Sequence, residues 1–409
     1  MNKKLSFAES LGCLLQRACS QALLSDLEGD IQCMSVFEKA AAEKTPGVQT
    51  EPLNAVDASH LENILSKCSA KMAARDFAEL ACDAGSLCLR FGEFDQAREC
   101  YTMAVEAANG STRTYAIAGK ALVKRSEISI RQSAWKQALQ DLREARNLYQ
   151  KPRNIAGIAG VESNTGVLYA SQGNMAKAYD HFKKALALFE KAKDADMIST
   201  TLMNLGIVAN IKGQSNDAIS YFTRALPQFE KAGDMARLPE VHHNLGMALL
   251  SKQDYEAAIT QFDESLTYST QLSFEPMIGI SLLGKASAYA KYGDSVLSIA
   301  YTNNALNIFR KLNDHLSIAD AYKIKGIVQR EMKNLDIAEM YFQTSIRLNQ
   351  EHHNKLNLGE SLYELGLLYK ARNDRAKSAE TLRRSIGCFR SVGAEEDLRR
   401  AQIELRALN

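Results

Sequence analysis

The sequence predicts an all-α protein built as a solenoid of stacked antiparallel helical hairpins. Three observations predict this fold. Small residues recur at a step of 40 residues along most of the chain. Only 6 of the 409 residues are proline, which leaves room for long uninterrupted helices. Apolar residues make up 46% of the chain, enough to bury a large core, so the composition excludes disorder for most of its length.

The repeat is defined by a marker position that holds Gly, Ala or Ser in eight successive copies, with one extra residue between the first two. The markers are Gly85, Ser126, Gly166, Gly206, Gly246, Ala286, Gly326 and Gly366. A second small residue follows twelve positions later and a third nineteen positions later, as in Ala218 and Ala225. Sixteen positions after the marker the residue is bulky, except at Thr302: Tyr101, Leu142, Phe182, Phe222, Phe262, Phe342 and Leu382.

This pattern predicts a helix, a turn, a second helix and a second turn in each repeat. Small residues allow two helix backbones to cross closely, and the bulky residue fills the adjacent space. Turn-forming residues lie where a hairpin requires them, in 171–174, 211–214 and 291–294. One hairpin cannot bury its apolar face alone, so the copies must stack.

The small and aromatic positions, together with Leu205-Gly206, Leu245-Gly246 and Leu365-Gly366, resemble those of the tetratricopeptide repeat (TPR) family. The resemblance covers about residues 70 to 393. It implies a right-handed superhelix of about eight repeats. The 40-residue step is similar to that of kinesin light chains and Pins-type scaffolds, whose helices are longer than those of the common 34-residue repeat.

Both ends of the chain differ from the repeats. Residues 1–43 are predicted to form an N-terminal helical element or a degenerate repeat, and the Pro- and Gly-containing segment 44–58 a linker. The solenoid is then assigned to 59–393. Residues 394–409 are predicted to form a capping helix with a polar outer face, as a terminal repeat requires.

Composition and termini restrict the functional classes. The formal net charge of +2 provides no global field for binding nucleic acid or anionic membranes. The eight cysteines form no metal-binding pattern and suggest buried or half-buried thiols in a reducing compartment. No signal peptide or membrane-spanning segment is recognised, so we expect a cytoplasmic protein without a cofactor, a metal, a nucleic-acid partner or a small-molecule substrate.

No catalytic constellation is recognised, and we therefore expect no enzyme. The segment Gly279–Ala286 fits G-x-x-x-x-G-K, but it lacks the Ser or Thr that would hold Mg²⁺ and falls in a predicted helix. The adjacent pairs His242-His243 and His352-His353 diverge by about 100° on a helix and are poor joint metal ligands. They are interpreted as surface or groove histidines.

The most specific functional signal is Asn164, Asn204 and Asn244, again at steps of 40 and two residues before a marker. The resemblance to kinesin-light-chain and Pins-type domains implies that these asparagines line the concave groove and hold the backbone of an extended peptide. The alternative is a row of solvated or locally bonded amides. Neighbouring groove positions, three before and four after a marker, include Met203, Asn210, His243, Lys323, Arg330, Tyr363 and Lys370.

Three functions are consistent with these features. The first is a non-enzymatic adaptor or scaffold that captures a protein or peptide segment in its groove. The second is an obligate structural subunit of a larger assembly, docked through the cysteine-rich N-terminal segment. The third is a ligand-sensing regulator that resembles bacterial peptide-receptor TPR proteins. The basic residues Lys323, Arg330 and Lys370 would suit an acidic peptide, although Asp320, Glu360 and Glu364 lie nearby.

Overall fold

A computed structural model describes residues 6–27, 30, 55–108, 112–150 and 153–408. Within these residues the secondary structure is helical, without strands. The helices are α1 (Phe7–Ala18), α2 (Ala55–Lys71), α3 (Ala74–Phe91), α4 (Phe94–Ala108), α5 (Tyr115–Arg131), α6 (Trp135–Gln150), α7 (Ile155–Ser171), α8 (Met175–Ala192), α9 (Ala195–Ile211), α10 (Ser215–Ala232), α11 (Leu238–Ser251), α12 (Tyr255–Gln271), α13 (Glu275–Tyr292), α14 (Ser295–Lys311), α15 (His315–Glu331), α16 (Leu335–Glu351), α17 (Lys355–Ala371), α18 (Arg375–Val392) and α19 (Glu395–Arg406). The predicted all-α solenoid of sequential hairpins is confirmed.

The chain divides into two compact units, residues 1–168 and 169–409. The first contains the hairpins α3–α4 and α5–α6, and the second contains α9–α10, α11–α12, α13–α14, α15–α16 and α17–α18. In both units successive first helices of the repeats pack more closely on each other than successive second helices do. The more closely packed side of a curved stack is the side of smaller radius, so the first helices form the inner face of each unit.

The small marker residues act as the sequence analysis predicts. A methyl group on Gly206 would lie 2.5 Å from the ring of Phe222, and one on Gly246 would lie 2.7 Å from the ring of Phe262. Phe222 and Phe262 are fully buried. The aromatic ring sixteen positions after the marker therefore packs directly on the glycine face of its own hairpin, which leaves no room for a side chain there.

Each repeat consists of two equal halves of 20 residues. Both of its turns contain one residue with positive φ, and each series recurs every 40 residues. The first series is Ser133, Gly173, Gly213, Gln253, Gly293, Lys333 and Asn373, and the second is Arg153, Lys193, Gly233, Ser273, Asn313, His353 and Gly393. The next residue is commonly Asp or Asn, whose side chain caps the following helix: Asp194 accepts a hydrogen bond from the Met197 amide at 3.2 Å, and Asp374 from the Lys377 amide at 3.1 Å.

The described part of the N-terminal segment packs into the core of the first unit. Helix α1 begins with a capping box between Ser6 and Glu9. Its buried residues Phe7, Leu11 and Leu15 belong to the same core as α2, α3 and α4. Most of the predicted linker 44–58 lies outside the described residues, and α2 begins at Ala55.

The described cysteines follow the predicted burial with one exception. Cys68, Cys82, Cys88 and Cys100 are buried, and Cys19 and Cys388 are half-buried. Burial raises the pKa of the Cys68 thiol to about 12 and that of Cys82 to about 11. Cys13 is exposed, which corrects the expectation for this residue: it lies on the outer side of α1, opposite the leucines that fill the core. Cys33 lies outside the described residues.

Candidate functional site

The inner face of the second unit carries two of the three asparagines that the sequence predicts to bind a peptide. Asn204 on α9 and Asn244 on α11 occupy equivalent positions of successive inner helices, and both are half-exposed. Neither side-chain amide makes a hydrogen bond within the described chain. Asn164 belongs to the first unit, where its Nδ2 donates to the carbonyl oxygen of Gly160 at 3.1 Å. Asn204 and Asn244 therefore keep their full hydrogen-bonding capacity for another molecule.

Further polar atoms without partners lie beside these amides. The Oδ1 atom of Asn210 on α9 and the Nδ1 atom of His243 on α11 are buried and have no hydrogen-bond partner among the described residues. The ring of His243 packs at 5.4 Å from that of Phe262. Burial lowers the pKa of His243 to about 4, so this imidazole is neutral at pH 7, with one ring nitrogen that donates a hydrogen bond and one that accepts. Met203 is 8% exposed and belongs to the core more than to the open surface.

Ion pairs between successive inner helices show how these helices are aligned. Arg330 on α15 pairs with Glu364 on α17, 34 positions later, at 2.6 Å, and Lys370 pairs with Glu404 on α19, also 34 positions later, at 2.7 Å. The same offset places Asn210 level with Asn244 on α11. Thus the pair of positions that holds the ion pair Arg330–Glu364 in the later repeats holds two amides, Asn210 and Asn244, in the earlier ones.

The predicted basic residues of the later repeats are all engaged with carboxylates. Lys323 pairs with Asp320 at 3.1 Å and also with Glu360. Burial alone would lower the pKa of the Lys323 ammonium, but these two carboxylates outweigh it and raise the pKa, so the lysine stays charged. With the pairs of Arg330 and Lys370, this end of the inner face carries balanced charge and does not present a row of free cations.

Tyr363 is 8% exposed, and the Arg400 guanidinium lies 5.2 Å from its ring centroid. Arg400 belongs to α19, the predicted capping helix, whose residues 394–408 also pack on the core of the last hairpin. Part of the charge that the sequence assigns to a solvated cap thus faces the inner side of the unit.

The remaining sequence candidates have structural roles. Gly279, Gly284 and Lys285 lie within α13; rings pack against both glycines, and Lys285 pairs with Asp263 at 2.5 Å. His242 corrects the interpretation as a surface or groove residue: it is 6% exposed, contacts Gln261 Oε1 at 2.9 Å and stacks on Tyr268. The described residues contain no group of three or more side chains placed to hold a metal ion. None of the described helices combines the length and apolar character needed to cross a bilayer.

Models of the tetratricopeptide repeat match residues 157–231 and 239–271, within the stretch in which the 40-residue period is most regular. The chain is a tetratricopeptide repeat protein. No curated protein sequence matches this TPR protein.

Solved structures share the TPR fold at low identity. The apo form of the quorum sensor NprR from B. thuringiensis is 13% identical, with a TM-score of 0.61 over 89% of this chain and 97% of that one. The Rap conjugation gene regulator of plasmid pLS20, in complex with the Phr* peptide, is 15% identical, with a TM-score of 0.55 over 85% and 97%. Aspartyl phosphate phosphatase F from Bacillus subtilis is 15% identical, with a TM-score of 0.55 over 86% and 96%.

Proposed function

We propose that this TPR protein is a non-enzymatic peptide sensor, located in the cytoplasm, that binds an extended peptide segment on the inner face of its second unit. The observation that carries the proposal is the pair Asn204 and Asn244, two half-exposed amides on successive inner helices without internal hydrogen bonds. Each amide can donate to and accept from a peptide backbone, and the unpartnered atoms of Asn210 and His243 supply further contacts.

The charge distribution favours a peptide that is held by its backbone. The later repeats neutralise their own charges through the pairs of Lys323, Arg330 and Lys370. An acidic ligand would have to displace a partly buried carboxylate from each of these cations, and leaving that carboxylate unpaired costs free energy. The acidic peptide considered from the sequence is therefore less well supported than a neutral segment bound near α9 and α11.

Of the three functions that are consistent with the sequence, ligand sensing is better supported than the adaptor role. The fold likeness to the pLS20 regulator, whose structure contains a peptide, and to the sensor NprR supports it. The adaptor reading is retained as the second candidate, because the same amides would capture a segment of a larger protein. The obligate-subunit reading has less support, since α1 already buries its apolar side within the chain.

The test is the double variant Asn204→Ala/Asn244→Ala. A twelve-residue peptide is first selected with the wild-type protein from a random display library, and its affinity is measured by fluorescence anisotropy. If each amide contributes about 1 kcal/mol, the double variant should lose about 2 kcal/mol, or about 30-fold in Kd. The matched control is Asn216→Ala/Asn304→Ala, two exposed asparagines on second helices, for which the affinity should not change. Equal affinities of the two double variants would contradict the proposed site.

A further inference from the structure

The second unit contacts itself at residues far apart in the sequence. The turn between α7 and α8 meets the turn between α18 and α19: a methyl group on Gly393 would lie 2.6 Å from the carbonyl oxygen of Gly173, and one on Gly173 would lie 3.0 Å from that of Ser391. A methyl group on Gly213, in the turn between α9 and α10, would overlap the side chain of Glu396. We call these contacts the seam.

Two further observations extend the seam beyond the glycines. Ile211, at the end of α9, packs against the apolar cluster that contains Phe389 and Ala401 of the last repeat and cap. A cavity of about 300 Å³ lies beside the turns and is lined by residues from both sides, including Gln172, Met175 and Glu395. The seam therefore has an apolar contact as well as close backbone contacts.

The seam has a geometric consequence for the inner face. Because the first and last turns of the second unit touch, its hairpins form a closed ring. The inner helices α9, α11, α13, α15 and α17 face the interior of that ring, where successive first helices pack on each other. A ligand can reach Asn204 and Asn244 only through the ends of the ring, or after the seam has parted.

We propose that the seam selects the partner by shape: it admits a flexible, extended chain segment to the inner face and excludes a folded domain. This inference rests on the proposed function only in taking the inner face as the binding surface. The seam would discriminate between a free peptide or unfolded segment and a globular partner. The side chains of the inner face alone do not make this distinction.

The first experiment tests whether the seam is closed in solution. The double variant Gln172→Cys/Glu395→Cys, with both positions exposed on the shared cavity, is treated with bismaleimidoethane, and the bridge is quantified by mass spectrometry of the digested protein. The control pair is Lys252→Cys with Glu395→Cys, because Lys252 occupies the equivalent turn position two repeats later. The Gln172 pair should bridge with at least about tenfold higher yield, since proximity raises the effective concentration. Equal yields would overturn the seam.

The second experiment tests the selection by shape. The Asn204→Cys variant is treated with a Gly-Ser peptide carrying a maleimide and, separately, with lysozyme carrying one maleimide. Modification is read at residue 204, so the native cysteines stay in place. Relative to Asn216→Cys on the outer α10, the peptide should react at a similar rate, whereas lysozyme should react at least about tenfold more slowly, because steric limits on encounter lower association rates. A similar rate for lysozyme at both positions would overturn the proposal.

Opening the seam should remove the restriction. Gly393 (φ +68°) and Gly233 (φ +66°) have the same backbone conformation at the ends of equivalent helices, but only Gly393 has a neighbour across the seam. Gly393→Leu should therefore restore the lysozyme reaction at residue 204, whereas Gly233→Leu, with equal backbone strain, should not. These reaction rates are measured without the selected peptide. Their outcome is therefore independent of the alanine variants that test the proposed function.

Discussion

At the scale of single residues, the repeat depends on where a side chain is excluded and where backbone strain is tolerated. At marker glycines such as Gly206, the aromatic ring of the same hairpin occupies the space that a side chain would need. Turn residues with positive φ are glycine in some repeats and Ser, Arg, Lys, Gln, Asn or His in others. A non-glycine residue in this conformation costs about 1 kcal/mol, so the stacked helices on both sides hold the turn in place.

Replacing two helical glycines of the second unit by alanine should change the free energy of unfolding in opposite directions. Gly206→Ala places a methyl group 2.5 Å from the Phe222 ring and should lower the free energy of unfolding by about 1–3 kcal/mol through overpacking. Gly387→Ala meets nothing within 4 Å and should raise it by about 0.5–1 kcal/mol, because alanine loses less backbone entropy in a helix. Urea unfolding of the two variants measures both changes, and a loss of stability in both would contradict the packing role of the marker.

At the scale of elements, α19 joins the last hairpin to the inner face. Its Arg400 lies over Tyr363, its Glu404 pairs with Lys370, and its Asp397 is placed near Glu360. Burial, assisted by the negative charge of Glu360, raises the pKa of Asp397 to about 6. A partly buried carboxyl group whose pKa is raised in this way makes the stability of the cap depend on pH.

The sign of this effect follows from the direction of the shift. Because the pKa of Asp397 is higher in the folded protein than in the unfolded chain, its contribution to stability is complete below about pH 4 and is lost as the pH rises through about 6. Asp397→Asn should therefore raise the free energy of unfolding at pH 7 by about 1–3 kcal/mol and leave it unchanged at pH 4. Urea unfolding of the wild type and the variant at both pH values measures this difference in the free energy of unfolding. Glu395→Gln, at an exposed position of the same helical turn, is the control and should show no such gain; a similar gain there would contradict the assignment.

At the scale of the whole molecule, a linear solenoid and a closed ring differ in how a local defect spreads. In a linear stack each repeat contacts only its neighbours, so a terminal defect stays at that end. The seam connects the last repeat of the second unit to its first turns, at Gly173 and Gly213. The ends of this unit should therefore share their stability.

Hydrogen exchange can detect this connection. Leu382 is fully buried in α18, and Leu382→Ala should destabilise the last hairpin by about 2–5 kcal/mol. Exchange should then rise in 355–406 and also in 172–176 across the seam, more than in the middle hairpin α11–α12, which lies closer in sequence. An increase that is confined to the C-terminal repeats would show that the ring is not closed.

The sequence by itself determined the helical hairpins, the 40-residue period and the glycine–aromatic packing, because each depends on residues within one repeat or its neighbour. It also placed Asn204 and Asn244 at equivalent positions. It did not reveal that positive-φ turns persist without glycine, that Lys323, Arg330 and Lys370 are neutralised by carboxylates 34 to 37 positions away, or that folding raises the pKa of Asp397. Only the tertiary structure decided these features and the seam, because curvature accumulates over many repeats and brings together residues as distant as Gly173 and Gly393, between which no local pattern exists.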